Sequence, residues 1–341
     1  MVQNIKIEAI FNNMTRSKEV HDAVLLVENT KGDFSINFGY GEKDINSPIF
    51  MASVSKLLVT ACILILQKRN KLSLENYVKD FITKEILDGL HIFRGVDYSH
   101  NLTISDLLFH TSGLPDGLEE GGIIRDIVKN DRKVSFDEVL EKTKKMPPKF
   151  MPTVTKKAYY SDINFRLLCN IIESITEVPI AKTFQDFICI PLNLTNTYLP
   201  TKEDDFIPNI YYKNKSLYPQ KYLTSSYNYD IISTAKEMML FLKGFWGGSL
   251  FPKDVFERLS VYKKLQITMG PIYYGGGYMQ IPLNSIYTLF LGKGELIGHS
   301  GSTGSFAFYY PNKDLFFVGD TNQMANPGLP IRMAMRLAMT V

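Results

Sequence analysis

The apolar segment Leu57-Leu58-Val59-Thr60-Ala61-Cys62-Ile63-Leu64-Ile65-Leu66 constrains this chain more than any other stretch. It is too short to span a bilayer. Apolar nearly all round, it reads as a helix buried on every side, so other elements must be laid around it. Directly before it stand Met51-Ala52-Ser53-Val54-Ser55-Lys56. Positions i and i+3 share a helix face, so the Lys56 ammonium can reach the Ser53 hydroxyl. A lysine anchored at the start of a buried helix is itself partly buried, and a buried cation requires a reason. One reason is chemical. An alcohol becomes a good nucleophile when a neighbouring base takes its proton, and a desolvated lysine can serve as that base. The first turn also offers N–H groups without helical partners, which favour negative charge developing nearby.

The tetrapeptide alone carries little weight, because Ser233-Thr234-Ala235-Lys236 and Ser260-Val261-Tyr262-Lys263 repeat its spacing. Ser233 reads as the N-cap of an amphipathic helix that continues Ala235-Lys236-Glu237-Met238-Met239-Leu240-Phe241-Leu242. Ser260 lies in a charged, exposed-looking stretch. Ser53 differs from both in opening a helix that must be buried.

The 341 residues suffice for one large domain or two intertwined ones. With 38 basic against 35 acidic residues, the net charge of +3 argues against nucleic-acid binding, and no basic stripe with interleaved aromatics is present. Cys62, Cys169 and Cys189 lie far apart in apolar surroundings. They read as small buried hydrophobes, with no disulfide framework, metal-ligand cluster or cofactor expected. The segment Met1-Val2-Gln3-Asn4-Ile5-Lys6-Ile7-Glu8 lacks the plan of a signal peptide, so the expected location is cytoplasmic, or extracytoplasmic if a leader precedes it.

Residues 3 to 14 carry apolar side chains at helical spacing. Residues 23–29 and 33–40 flank Thr30-Lys31-Gly32 as a hairpin. From about 54 to 250 the pattern is mainly helical, with helices expected at 57–69, 104–109, 136–145, 162–175, 180–188 and 234–244. The stretches 145–160 and 196–230 read as ordered loops. Strand signals return at 277–281, 287–290, 305–310 and 315–319, with Pro311-Asn312-Lys313-Asp314 as a turn, and a closing helix spans about 328–340. Strands at both ends predict an α+β fold with one antiparallel sheet built from both termini. A sheet subdomain of 1–52 and 255–341 and a helical subdomain of 53–254 would then meet at a cleft beside Ser53.

Four segments carry a family resemblance. Asn46-Ser47-Pro48-Ile49-Phe50-Met51-Ala52-Ser53-Val54-Ser55-Lys56 resembles the nucleophile segment of the class C β-lactamase-like serine hydrolases, with its Ser-x-x-Lys. That superfamily includes class C β-lactamases, D-Ala-D-Ala carboxypeptidases, D-aminopeptidases and β-lactamase-fold esterases. The run from Leu102 to Asp116, with His110-Thr111-Ser112-Gly113-Leu114-Pro115, resembles its helix-and-loop segment. Tyr160-Ser161-Asp162-Ile163-Asn164 resembles its tyrosine motif, and Gly298-His299-Ser300-Gly301-Ser302-Thr303-Gly304 its third motif on a strand lining the cleft.

The resemblance implies the β-lactamase/penicillin-binding-protein fold, and it implies roles. Ser53 would attack a carbonyl and Lys56 would share the base function. Tyr160 would relay the proton, two nearby cations lowering its pKa. His299 would hydrogen-bond Tyr160 or meet an acidic group on the substrate. Gly301 would let the strand edge approach the ligand, and the N–H groups of Ser53 and Ser302 would form an oxyanion hole. Asp162 stands where class C β-lactamases carry Asn. Ionised, it offers acceptors only, so it would hold Lys56 charged and disfavour acidic substrates. His110 and Asp116 are expected to be structural, Tyr227, Asn228, Tyr229 and Asp230 to narrow the pocket or pack, and Trp246, Tyr273 and Tyr274 to be core or rim. The function implied is hydrolysis, through an acyl-enzyme, of small esters, D-amino-acid amides or peptides, or β-lactams. The alternative is a non-catalytic or slowly deacylating penicillin-binding or sensing domain. Nothing in the residues indicates an oligomeric state.

Overall fold

Strand-forming residues from the two ends of the chain meet in one eight-stranded antiparallel sheet. The computed structural model describes residues 2–152 and 157–341. The N-terminal hairpin supplies β1 (Ala23–Asn29) and β2 (Ser35–Tyr40). The C-terminal part supplies β3 (Lys263–Lys264), β4 (Tyr273–Tyr274), β5 (Met279–Pro282), β6 (Glu295–Ser300), β7 (Ser305–Tyr310) and β8 (Leu315–Asp320). Across the sheet they run β2-β1-β8-β7-β6-β5-β4-β3. The seam between the two ends is β1 on β8, in register from Val24 opposite Asp320 to Asn29 opposite Leu315.

All six residues of β8 are buried, so this central strand is covered on both faces and shows no in–out alternation. The covers are α1 (Val2–Thr15) and α6 (Leu329–Thr340), which pack on each other, and α5 (Ala235–Gly247), which packs on β1, β7 and β8. Thus α5, within the stretch expected to form the helical region, lies on the sheet. The apolar run forms α2 (Lys56–Lys68), whose residues 56 to 66 are all buried. Against it packs α4 (Asp162–Thr176), which also touches α3 (Ile104–Leu108). A capping box of Thr103 with Asp106 starts α3.

Several local expectations differ from the structure. The strand expected at 287–290 is a 3-10 turn over Ile286–Thr288, because Thr288 Oγ1 accepts from the Ser285 N–H at 3.3 Å and donates to the Leu283 carbonyl. The helix expected over 180–188 runs from Ile180 to Phe184 and then widens into a π turn over Gln185–Cys189. The 196–230 loop contains a hairpin, Ile210–Tyr212 with Lys215–Leu217, and one helical turn, Gln220–Leu223. The 145–160 stretch is irregular over 145–152 and 157–160, and its remaining residues lie outside those described. Thr234, rather than Ser233, caps α5 by accepting from the Glu237 N–H, while Ser233 pairs with Ile49 as strand. The three cysteines are buried and free, as expected of small hydrophobes.

Candidate active site

Ser53 sits on a turn tethered from both sides. Ile49 and Phe50 pair with Ser233 and Ile232. The Met51 N–H donates to the Ile231 carbonyl at 3.0 Å, and its own carbonyl accepts from Ser305 Oγ at 2.7 Å. The Phe50 carbonyl accepts from Thr303 Oγ1 at 3.0 Å, and Ser55 Oγ accepts from the Ile231 N–H at 2.9 Å. Ala52 is forced into the left-handed region, φ +44°. Ser53 therefore lies in a 3-10 turn, Ala52–Ser55, and the α-helix starts only at Lys56. The Ser53 N–H precedes the first bond of that turn, Val54 N–H to Met51 carbonyl at 3.0 Å, and so belongs to the unpaired donors of a helix start. Gly301 serves this turn. A Cβ there would stand 2.2 Å from Ser305 Oγ and 2.6 Å from the Met51 carbonyl oxygen, so the bare backbone lets the end of β6 press against the serine turn.

Lys56 is fully buried. Its Nζ donates to Ser53 Oγ at 3.2 Å, as the i, i+3 spacing predicts, and to Asp162 Oδ1 at 2.6 Å. The rings of Tyr160, Phe165 and Tyr229 surround the ammonium, with centroids 5.2, 5.5 and 5.2 Å away. Burial pulls its pKa down, but Asp162, then Tyr160 and Asp230, outweigh burial and hold it well above the ordinary lysine value. At rest Lys56 is thus a fixed ammonium; sequence reasoning gave it a share of the base function and also expected Asp162 to hold it charged.

Asp162, the first residue of α4, is the hub that charges Lys56. Its Oδ1 also accepts from the Tyr229 hydroxyl at 2.6 Å and its Oδ2 from the Tyr227 hydroxyl at 2.8 Å. Burial alone would raise its pKa. Lys56 and the two tyrosines bring it below the ordinary carboxylate value. Tyr227 and Tyr229 are site residues that sequence reasoning left between packing and pocket. Nothing near them in sequence signals this role, since Tyr227 lies in a turn closed by the Asn228 N–H on the Ser225 carbonyl.

Tyr160 stands beside Lys56, whose Nζ is 5.2 Å from its ring centre, and its hydroxyl is influenced by both Ser53 and Lys56. Its N–H donates to Gln266 Oε1 at 3.0 Å and its ring rests on His110 at 4.5 Å. Burial outweighs Lys56 and pushes its hydroxyl up to about 12, so the lowered pKa expected from two cations is not found. His299, close to Tyr160, adds no positive charge because it is neutral. Burial and the nearby Lys56 charge lower His299 to about 3. Its Nδ1 lies 2.8 Å from the Ser300 carbonyl, an acceptor, so Nδ1 carries the proton and Nε2 accepts from the Tyr274 hydroxyl at 3.3 Å. The hydrogen-bond partner of His299 is therefore Tyr274 rather than Tyr160, whose ring centre is 6.1 Å away.

His110 and Asp116 do not pair with each other. His110, at φ +54°, accepts from the Ser161 N–H on Nδ1 at 3.3 Å, and its carbonyl accepts from the Tyr159 N–H at 2.8 Å. Asp116 accepts from the N–H groups of Leu118, Glu119 and Asp162. Both hold the segment 159–162 in place, in keeping with a structural role. Trp246 is buried among Phe245, Phe256 and Tyr278.

A cavity of about 700 Å³ opens over Ser53, Tyr160, Asp162, Asp230 and the exposed Ser302, with an outer wall of Ile124, Ile127, Leu217 and Tyr218. Among the described residues no group of three His, Cys, Asp or Glu side chains is arranged to hold a metal ion, and no helix is long and apolar enough to cross a membrane.

Comparison with known proteins places the chain in a family. The sequence profile described as Beta-lactamase matches residues 24–340. The "Putative penicillin-binding protein PbpX" of Bacillus subtilis (strain 168) is 25% identical over 244 residues, which is 67% of this chain and 56% of that protein, so the chain spans little more than half of this relative. Among solved structures, the D-amino acid amidase from Ochrobactrum anthropi SV3, complexed with L-phenylalanine amide, superposes with a TM-score of 0.79 over 99% of this chain and 98% of that one, at 16% identity. A D-stereospecific amidohydrolase from Streptomyces sp. gives 0.75 over 95% and 94%, at 19% identity. These likenesses give the β-lactamase/penicillin-binding-protein fold that the four segments led us to expect. Matched by its profile from residue 24 to residue 340, the chain belongs to the Beta-lactamase family.

Proposed function

We propose that this protein is a serine hydrolase that works through an acyl-enzyme, with Ser53 as nucleophile. The observation that carries the reading is the bridge made by one buried ammonium, Lys56 Nζ, between Ser53 Oγ and Asp162 Oδ1. A lysine needed only for packing has no cause to be desolvated onto a serine that faces a cavity. In this reading Ser53 Oγ attacks the substrate carbonyl carbon, and Tyr160 and Lys56 take up and pass on the hydroxyl proton. The backbone N–H groups of Ser53 and Ser302 stabilise the oxyanion. The proton goes to the leaving group as the carbonyl–leaving-group bond breaks, and water then hydrolyses the ester. Asp162, Tyr227 and Tyr229 hold the ammonium in place. His299 acts from behind, through Tyr274, whose ring packs against Tyr160 at 6.0 Å. In this reading the cleft lies between a sheet subdomain, residues 1–52 and 255–341, and a helical one, residues 53–254, although α5 of the latter packs on the sheet.

The substrates we favour are small esters, then D-amino-acid amides or peptides, then β-lactams. Asp162 and Asp230 beside the nucleophile disfavour a carboxylate near the scissile bond, and relatives that carry the names amidase and amidohydrolase support the amide class. A second reading, a protein that acylates but deacylates slowly, is favoured by one observation. Lys56 is charged and Tyr160 protonated at rest, so no free base waits beside Ser53.

Intact mass spectrometry after treatment with a fluorophosphonate and a fluorescent penicillin, with Ser53→Ala alongside, tests the proposal. A single adduct absent from the mutant is expected, and an adduct that persists in Ser53→Ala refutes the assignment. Sustained turnover of short-chain esters or D-amino-acid amides separates the hydrolase from the slow deacylator, which would give only a stoichiometric burst.

A further inference from the structure

One end of the sheet carries apolar side chains held out in solvent, and Gln266 on its inner side reaches the Tyr160 N–H. Strand directions put the connections 265–272, between β3 and β4, and 283–294, between β5 and β6, at the same end. The glycine-rich loop 301–304 beside Ser53 lies at the opposite end, after β6. In the longer connection Ile286 is 70% exposed, Leu289 75%, Phe290 65% and Leu291 79%, and Ile267 in its neighbour is 90% exposed. Single exposed apolar residues are ordinary, but four within six positions of one loop are not.

This loop is built rather than loose. The Leu283 N–H donates to the Gly294 carbonyl at 2.9 Å, the Phe290 N–H to Ser285 at 2.9 Å and the Leu291 N–H to Thr288 at 3.0 Å. Leu289 and Phe290 both adopt left-handed backbone, φ +51° and +58°, a conformation costly for large side chains. The chain thus spends strain to turn a leucine and a phenylalanine outward.

The charges fit one partner. Neither connection contains an acidic residue. Lys263 and Lys264 precede the first, and Lys293 sits at the close of the second. None of these three lysines forms an ion pair with a described residue. The nearest carboxylate in sequence, Glu295, accepts from Gln280. Apolar tips flanked by free cations match a bilayer interface, where leucine and phenylalanine enter below the headgroups and lysines meet lipid phosphates. We propose that this end of the sheet docks the protein on an anionic lipid surface.

Co-sedimentation of the whole chain with vesicles of phosphatidylcholine, with and without phosphatidylglycerol, tests the proposal. Leu289→Asn/Phe290→Asn/Leu291→Ser removes the apolar tip while placing asparagine, which tolerates left-handed backbone, at the two strained positions. The expected result is binding to the mixed vesicles that weakens by at least about tenfold in this variant, at an unchanged melting temperature. Lys293→Gln, which leaves the tip intact, should weaken it about threefold to fivefold, and added salt should weaken it further. Absence of wild-type binding to the mixed vesicles, or binding insensitive to both variants, overturns the proposal. A concentration-dependent dimer in light scattering that the tip variant abolishes would also overturn it, giving the surface to a second copy of the chain.

Discussion

Replacing Asp162 with asparagine probes the electrostatic logic of the site most directly. The carboxylate lies 2.6 Å from Lys56 Nζ, and Lys56 is fully buried. At an effective dielectric of about 20, charges at that separation attract by about 6 kcal/mol. The Asp162→Asn side chain would keep an acceptor for Lys56 and Tyr229 but remove the charge. Burial, the largest influence on Lys56, would then be opposed only by Tyr160 and Asp230. The Lys56 pKa therefore falls, and a neutral amine becomes available to take the Ser53 proton at lower pH. Breaking a buried pair also costs stability, here about 2–4 kcal/mol because the hydrogen bonds are partly kept. The assay is kcat/KM for an ester and for nitrocefin against pH, beside a melting curve. The expected outcome is a rising limb displaced to lower pH, greater nitrocefin reactivity at neutral pH and a melting temperature lower by several degrees. A variant with unchanged pH dependence and unchanged melting temperature would refute the view that Asp162 holds Lys56 protonated.

Two further perturbations follow from particular contacts. Gly301→Ala puts a methyl group into Ser305 Oγ and the Met51 carbonyl, both held by the mutual hydrogen bond that fixes the serine turn. A loss of about 3 kcal/mol or more with collapse of acylation is expected, and urea unfolding with fluorophosphonate labelling checks it. Asp230→Asn changes stability with pH. Burial, opposed by Lys56, raises the Asp230 carboxyl to about 7, so folding favours its protonated form. That contribution is complete below the ordinary carboxylate pKa and is lost as pH rises through 7. The uncharged amide in Asp230→Asn should therefore flatten the fall in melting temperature between pH 5 and 8 and add on the order of 2 kcal/mol at pH 8. Parallel melting curves for the two proteins across that range would contradict the assignment.

The legible parts of the site were those whose partners are close in sequence. Ser53 and Lys56 are one turn apart, and a buried helix following them is written in ten successive positions. The hairpin over 23–40 and the strands of 305–319 likewise rest on local alternation and turn residues. Tyr227 and Tyr229 stayed ambiguous because nothing near them in sequence shows that their hydroxyls meet Asp162, more than sixty positions earlier. The turn at 286–288 was misread as strand because its apolar residues suit a pleat. Only the Thr288 hydroxyl, bonded to the Ser285 N–H and the Leu283 carbonyl, reveals the alternative.

Residue types and spacing alone determined that a serine and a lysine share one face at the mouth of a buried helix, and that both chain ends feed one sheet. Those are short-range consequences of backbone geometry. Tertiary structure decided the protonation states. Lys56 is an ammonium because Asp162, 106 positions away, stands 2.6 Å from it. His299 is neutral because it is buried near that ammonium, and Tyr160 keeps its proton because burial outweighs Lys56. A pKa depends on desolvation and on charges a few ångströms away, and these exist only once distant segments have packed together.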